Sequence, residues 1–231
     1  MSPRLLQYSD LEGVYDDPDR LARLVGLLAA RRDDRTLVVG TGDNTGPGVL
    51  SLVERGRQAL PFFECVRPDA ETFGNHDFDY GLDAAGGIAA DSPQPWVCAN
   101  VYDGTEPFGR EAGVVPSAVL DADGERVGVV GVLDPAAAEM SPGADGLRIT
   151  DPIETVGREV GRLRERGVDD FRERGLIDAA IPPMGGGFLD DVSATPVREG
   201  LDGALGVGVV ATSVQVRNPD VEANCGRSRR L

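Results

Sequence analysis

The chain has 231 residues, 41% of them hydrophobic and 27% charged, with 39 acidic residues against 23 basic ones and a formal charge of −16. That length suits one sizeable domain, with room for two. The charge repels phosphate backbones and anionic bilayers, which excludes polymeric nucleic acid and membrane surfaces as bulk partners, and no apolar run reaches the roughly 20 residues of a membrane span.

Arg4 to Asp10 is a short apolar run that reads as a strand. Asp17-Pro18 then supplies an N-cap with proline in the first turn. Leu21, Leu24, Val25 and Leu28 recur at helical spacing, so the pattern predicts an amphipathic helix over 18–32. Thr36 to Gly40 is a β-rich run that enters the loop Gly-Thr-Gly-Asp-Asn-Thr-Gly-Pro-Gly, followed by a helical stretch at 48–66. Ala70 to Phe73 reads as a strand ending in the loop Gly-Asn-His-Asp-Phe-Asp-Tyr-Gly; a helix at 82–91 and a strand from Trp96 to Val101 come next. Val114 to Leu120 and Arg126 to Leu133 flank Asp-Ala-Asp-Gly-Glu, a hairpin signal. Asp151-Pro152 opens a last helix over 152–166. Strands alternating with helices predict an α/β layered domain. In such folds ligands bind at the carboxyl ends of strands, where Asp10, Asp43 and His76 all fall.

The composition changes near residue 170. Residues 1–170 carry 31 acids and 16 arginines, whereas 171–231 carry 8 and 7. The expected organisation is a domain over 1–170 and a divergent or poorly ordered C-terminal segment over 171–231, in which only Leu205 to Val216 reads as a strand or buried apolar run.

Every basic residue is arginine and none is lysine. An acidic chain of this kind is expected from a salt-adapted organism with a GC-rich genome. The first ten residues turn polar too early for a signal peptide, so a cytoplasmic location is the expectation. Cys65, Cys98 and Cys225 form no paired pattern and read as small buried hydrophobes. His76 is the single histidine.

The strongest local signal is Gly74-Asn75-His76-Asp77-Phe78-Asp79. An amide oxygen binds a hard metal, an adjacent imidazole faces a transferring phosphoryl group, and a carboxylate three residues on holds the other ring nitrogen. Taken singly, the Asn-His pair is a polar turn, Asp10 a capping acid and Asp43 an Asx turn. Together they have the order a carboxylate-bridged pair of ions requires: Asp10 on one ion, Asn75 on the other and Asp43 between them. The glycine-rich loop fails as a dinucleotide fingerprint, because Thr45 stands at its third glycine position, and without lysine there is no phosphate-binding loop of the Walker kind.

Ser9-Asp10-Leu11-Glu12, Gly40-Thr41-Gly42-Asp43-Asn44 and Gly74 to Gly81 resemble the first three signature blocks of the calcineurin-like metallophosphoesterases, of the 5'-nucleotidase and 2',3'-cyclic phosphodiesterase group. The resemblance covers roughly residues 4–168. It implies an α/β fold, a four-layer α/β/β/α sandwich that is incomplete here, and metal-dependent hydrolysis of a small-molecule phosphoester, a nucleotide above all. It also implies two divalent ions (Mn²⁺, Mg²⁺ or Zn²⁺), with His76 and Asp79 as the catalytic dyad.

The departures are specific. Glu12 stands where the group has histidine: either a ligand that shifts preference towards Mn²⁺ or Mg²⁺, or a surface acid. The group's second-half histidines have no counterpart, because His76 is alone. The sequence therefore leaves two readings open, a nucleotide-directed phosphoester hydrolase and an inactive remnant that binds at most one ion. A chain truncated or altered in reading frame beyond about residue 170 is the favoured explanation, and a naturally shortened relative the other.

Overall fold

The computed structural model describes residues 3–168 and, as backbone, residues 180–181 and 209–213. Strands β1 (Arg4–Tyr8) and β2 (Thr36–Gly40) pair in parallel, with Tyr8 opposite Gly40. Between them runs α1 (Pro18–Arg31), capped by the Asp17 carboxylate, which accepts from the Arg20 N–H at 3.0 Å. The stretch expected as one helix over 48–66 is broken, because Arg55 and Gly56 take left-handed φ of 51° and 87°. It forms α2 (Val49–Glu54), a single 3₁₀ turn and α3 (Leu60–Val66). Helix α4 (Leu82–Asp91) follows.

The strand expected at Ala70–Phe73 is reduced to two parallel bridges, Val39 with Ala70 and Glu71 with Trp96. Its ladder is real on both sides, since Thr72 N–H donates to Gly40 and Val97 N–H to Glu71, but the chain turns at once into the Gly74 loop. Strands β3 (Val101–Asp103) and β4 (Glu106–Pro107) join a small antiparallel sheet. The hairpin of β5 (Ser117–Ala122) and β6 (Glu125–Leu133) turns at Asp123 and Gly124. Both have positive φ, 57° and 83°, as the twist-matched two-residue hairpin turn requires.

Helix α5 (Ala137–Met140) and strand β7 (Leu147–Ile149), the third member of the small sheet, precede α6 (Pro152–Glu165). Asp151 caps α6 by accepting from Glu154 N–H at 2.9 Å. The backbones of β8 (Ala180–Ile181) and β9 (Val209–Ser213) extend the β5–β6 sheet, β9 lying parallel to β6 and β8 to β9. Part of the apolar run expected at 205–216 is therefore a strand. The remaining expectations for residues 171–231 lie outside the described residues.

Strand alternation sorts the interior into three layers of packing. Val38 faces a large cluster with Leu28, Phe63, Phe73, Ile88 and Trp96, beneath α1, α3 and α4. Its neighbours Leu37 and Val39 face the opposite way, onto Val97, Val127 and Val129. Val130 and Val132, on the far side of β6, pack on Val156, Val160 and Leu163 of α6. Period-two alternation on two sheets thus yields the expected order of helix, sheet, sheet and helix.

Cys98 is buried as expected, and burial pushes its thiol up to about 12. Cys65 is exposed, against expectation, because Phe62 and Phe63 take the inward face of α3 and leave it on the outer one. Cys225 lies outside the described residues. No helix among the described residues is long and apolar enough to cross a membrane.

Candidate functional site

The parallel pairing of β1 and β2 brings their carboxyl ends side by side. Thr41 N–H donates to the Tyr8 carbonyl at 3.0 Å, and Asp10 N–H to the Gly42 carbonyl at 3.2 Å. Asp10 and Asp43 both leave their strands through left-handed backbone, with φ of 53° and 56°. Such a conformation costs an L-residue roughly 1–2 kcal/mol, although Asp tolerates it better than most. The third loop closes on them from the side. His76 N–H donates to Asp43 Oδ1 at 2.7 Å. Gly74 permits that approach, for a Cβ there would lie 2.2 Å from the same oxygen.

The His76 ring continues outward. Its Nδ1 meets Asp79 Oδ2 at 2.8 Å, and Asp79 Oδ1 accepts from the Ser141 hydroxyl at 3.0 Å. Asn75 is buried between Gly74 and His76. Glu12 is half-buried, and the charges acting on it are those of His76 and Asp79.

Two acids that the sequence reading did not single out organise the site from below. Asp77 is buried and accepts five hydrogen bonds. They come from the N–H groups of Gly74 (2.7 Å), Asp43 (2.8 Å), Asn44 (3.1 Å) and Thr45 (3.0 Å) and from the Thr45 hydroxyl (2.7 Å). It ties the second loop to the third. Glu71 is fully buried and accepts from the Tyr8 hydroxyl and from Asn44 Nδ2, each at 2.5 Å. An acid inside the expected strand Ala70–Phe73 was a visible signal for Glu71. Nothing in the sequence marked Ser141.

Burial dominates the electrostatics. It pushes the Asp43 carboxyl up to about 8, the negative charge of Asp77 adding to it, and the Asp10 carboxyl up to about 6, with Glu12 and Asp77 adding. Burial also raises Glu12 and Asp77. His76 is raised to about 9, first by its hydrogen bond to Asp79. The carboxyls of Asp10, Glu12, Asp43 and Asp79 therefore act on one imidazole, a field that favours a bound cation.

A divalent ion at this site would find hard oxygens, the carboxylates of Asp10 and Asp43 and the amide of Asn75, a donor set that suits Mg²⁺ or Mn²⁺. Among the described residues no three His, Cys, Asp or Glu side chains gather to hold a metal ion.

The chain is 31% identical over 140 residues to a 5'-nucleotidase of Diplobatis ommata, a match that covers 60% of this chain and 24% of the relative. Among solved structures it superposes on a 5'-nucleotidase precursor from Thermus thermophilus with a TM-score of 0.63 and 25% identity, over 74% of this chain and 36% of that one. The calcineurin-like phosphoesterase YfkN of Bacillus subtilis shares the fold at a TM-score of 0.58 and 18% identity, over 91% of this chain and 80% of that one. No protein-family model matches. The chain spans about a quarter to two fifths of the length of the first curated relatives it matches.

Proposed function

On the footing that residues 4–168 correspond to the N-terminal part of the 5'-nucleotidase group of calcineurin-like phosphoesterases, we propose that this chain hydrolyses a phosphoester of a nucleotide with the help of a divalent ion. The observation that carries the reading is the contact of His76 with Asp43, which sets the imidazole of the third loop beside the acids of the first two. Asp10 and Asp43 would hold one ion; where a second binds, Asp43 and Asn75 would hold it, and Glu12 would be the alternative ligand. Such an ion, when bound, neutralises phosphate charge and activates a water molecule.

The chain's own residues supply the rest. Asp79 fixes the ring of His76 through Nδ1, and Ser141 fixes Asp79, so that Nε2 is the nitrogen left to donate a proton to phosphoryl oxygen or leaving group.

The thin set of ionisable ligands favours a second reading, an inactive relative that binds one ion or none. Turnover decides between them. The purified chain with Mn²⁺ is expected to hydrolyse AMP or bis-p-nitrophenyl phosphate and to lose that activity in His76→Ala. No turnover above blank with any divalent ion selects the second reading, and metal analysis then separates one bound equivalent from none.

A further inference from the structure

We propose that Glu71 is a positioning residue whose buried carboxyl sets the spacing between the two strand ends that carry Asp10 and Asp43. The inference rests on the function proposed above for those two acids.

Three stretches of chain meet at this one side chain. Tyr8, two residues before Asp10, donates its hydroxyl to Oε2, and Asn44, next to Asp43, donates its amide to Oε1. Glu71 itself stands three residues before Gly74, with Gly40 N–H bonded to Ala70 and Thr72 N–H bonded back to Gly40. The carboxyl is seated on Gly40, where an added Cβ would fall 1.9 Å from Oε1. The seat therefore requires glycine at the end of β2.

Among the described residues the groups that act on Glu71 are Tyr8, Asn44 and Asp77, and burial raises its carboxyl well above its usual range. An apolar side chain of similar size fills such a space without this desolvation cost. What the acid adds is geometry, two hydrogen bonds directed to two different loops. The Tyr15 hydroxyl donates to the Asn44 carbonyl at 2.7 Å, and Asp77 accepts from the Asn44 N–H, so the residue Glu71 grips is itself held on its backbone. Movement at Glu71 thus passes to Asp10 through Tyr8 and to Asp43 through Asn44.

Asn44 Oδ1 is buried without a hydrogen-bond partner. In Glu71→Gln, rotation of the Asn44 amide presents that oxygen to the new amide nitrogen, while the retained oxygen still accepts from Tyr8. Glu71→Met keeps the bulk and loses both bonds. Tyr8→Phe removes one.

The experiment uses the full chain as wild type and as these three variants, with two measurements: Mn²⁺ affinity by titration calorimetry, and crystal structures without metal. Glu71→Met is expected to weaken Mn²⁺ binding by about tenfold or more, as loss of a residue supporting metal ligands does, and to change the Asp10–Asp43 separation by roughly 1 Å, the looseness that disables such sites. Glu71→Gln is expected to stay within about threefold of wild type, because its hydrogen bonds are remade. Unchanged affinity and separation in Glu71→Met overturn the proposal, as does an equal loss in Glu71→Gln. If Glu71→Met does not fold, Tyr8→Phe decides by the same two measurements. If the wild type binds no Mn²⁺, the functional reading fails, and the crystallographic separation alone still judges Glu71.

Discussion

His76 and Asp43 are joined backbone to side chain: the His76 N–H donates to Asp43 Oδ1 at 2.7 Å, across 33 residues of sequence. This bond locks the loop that carries the imidazole onto the loop that carries the acid, and it leaves the ring itself to Asp79. Gly74, whose missing side chain makes room for Asp43, is the hinge of the arrangement.

Gly74→Ala is therefore expected to damage the site more than the fold. Its Cβ would fall 2.2 Å from Asp43 Oδ1 and 2.6 Å from the Asp43 nitrogen, so the acid has to move. Mn²⁺ affinity should drop by about tenfold or more, with stability lowered by about 1–3 kcal/mol, the usual cost of overpacking. Calorimetric titration alongside urea denaturation checks both. Unaltered Mn²⁺ binding would show that Asp43 is not held by this contact.

Asp77→Asn should unfold the domain more readily than any other single change at the site. One carboxamide oxygen cannot replace two carboxylate oxygens that take five hydrogen bonds, and its NH₂ would point at N–H donors. A loss of about 3 kcal/mol or more is expected from a broken buried network. Denaturant midpoints measure it, and a change under about 1 kcal/mol would contradict the structure.

His76 offers an unambiguous titration, since it is the single histidine. Its pKa is raised from the ordinary 6.5 to about 9, chiefly by Asp79. A raised value means that the native state binds the proton more tightly than the unfolded chain does. The interaction therefore stabilises fully below about pH 6.5 and is lost as pH rises through about 9. Proton NMR of the ring should report the raised value in the metal-free chain and a return towards 6.5 in Asp79→Asn. A ring titrating near 6.5 in the wild type would rule out the Asp79 contact in solution.

The charge of −16 makes a prediction independent of the site. Self-repulsion between exposed acids weakens as salt shortens the Debye length to about 3 Å at 1 M. The thermal midpoint should therefore rise with KCl. A midpoint indifferent to KCl would remove the salt-adapted reading.

The local signals read true where they involve near neighbours. Asp17-Pro18 and Asp151-Pro152 start their helices, Asp123-Gly124 turns its hairpin, and Leu82 to Asp91 is helical as the pattern suggested. The bonds that cap, turn or repeat these elements span four residues or fewer, so their cause is visible in the letters. The broken helix at Arg55-Gly56 was less visible, because a left-handed arginine is a packing outcome.

From the sequence alone came the order of three loops, each placed behind a strand and each carrying an acid or an imidazole, along with the helix starts and the acid-heavy surface. Only the tertiary structure decided which groups face one another. Asp77 serves four residues of two loops, Glu71 joins Tyr8 to Asn44, Ser141 reaches Asp79 across 62 positions, and Glu12 lies near His76 and Asp79. A hydrogen bond between distant residues exists only once strand pairing and packing have fixed where each loop emerges, and no short-range pattern encodes that position.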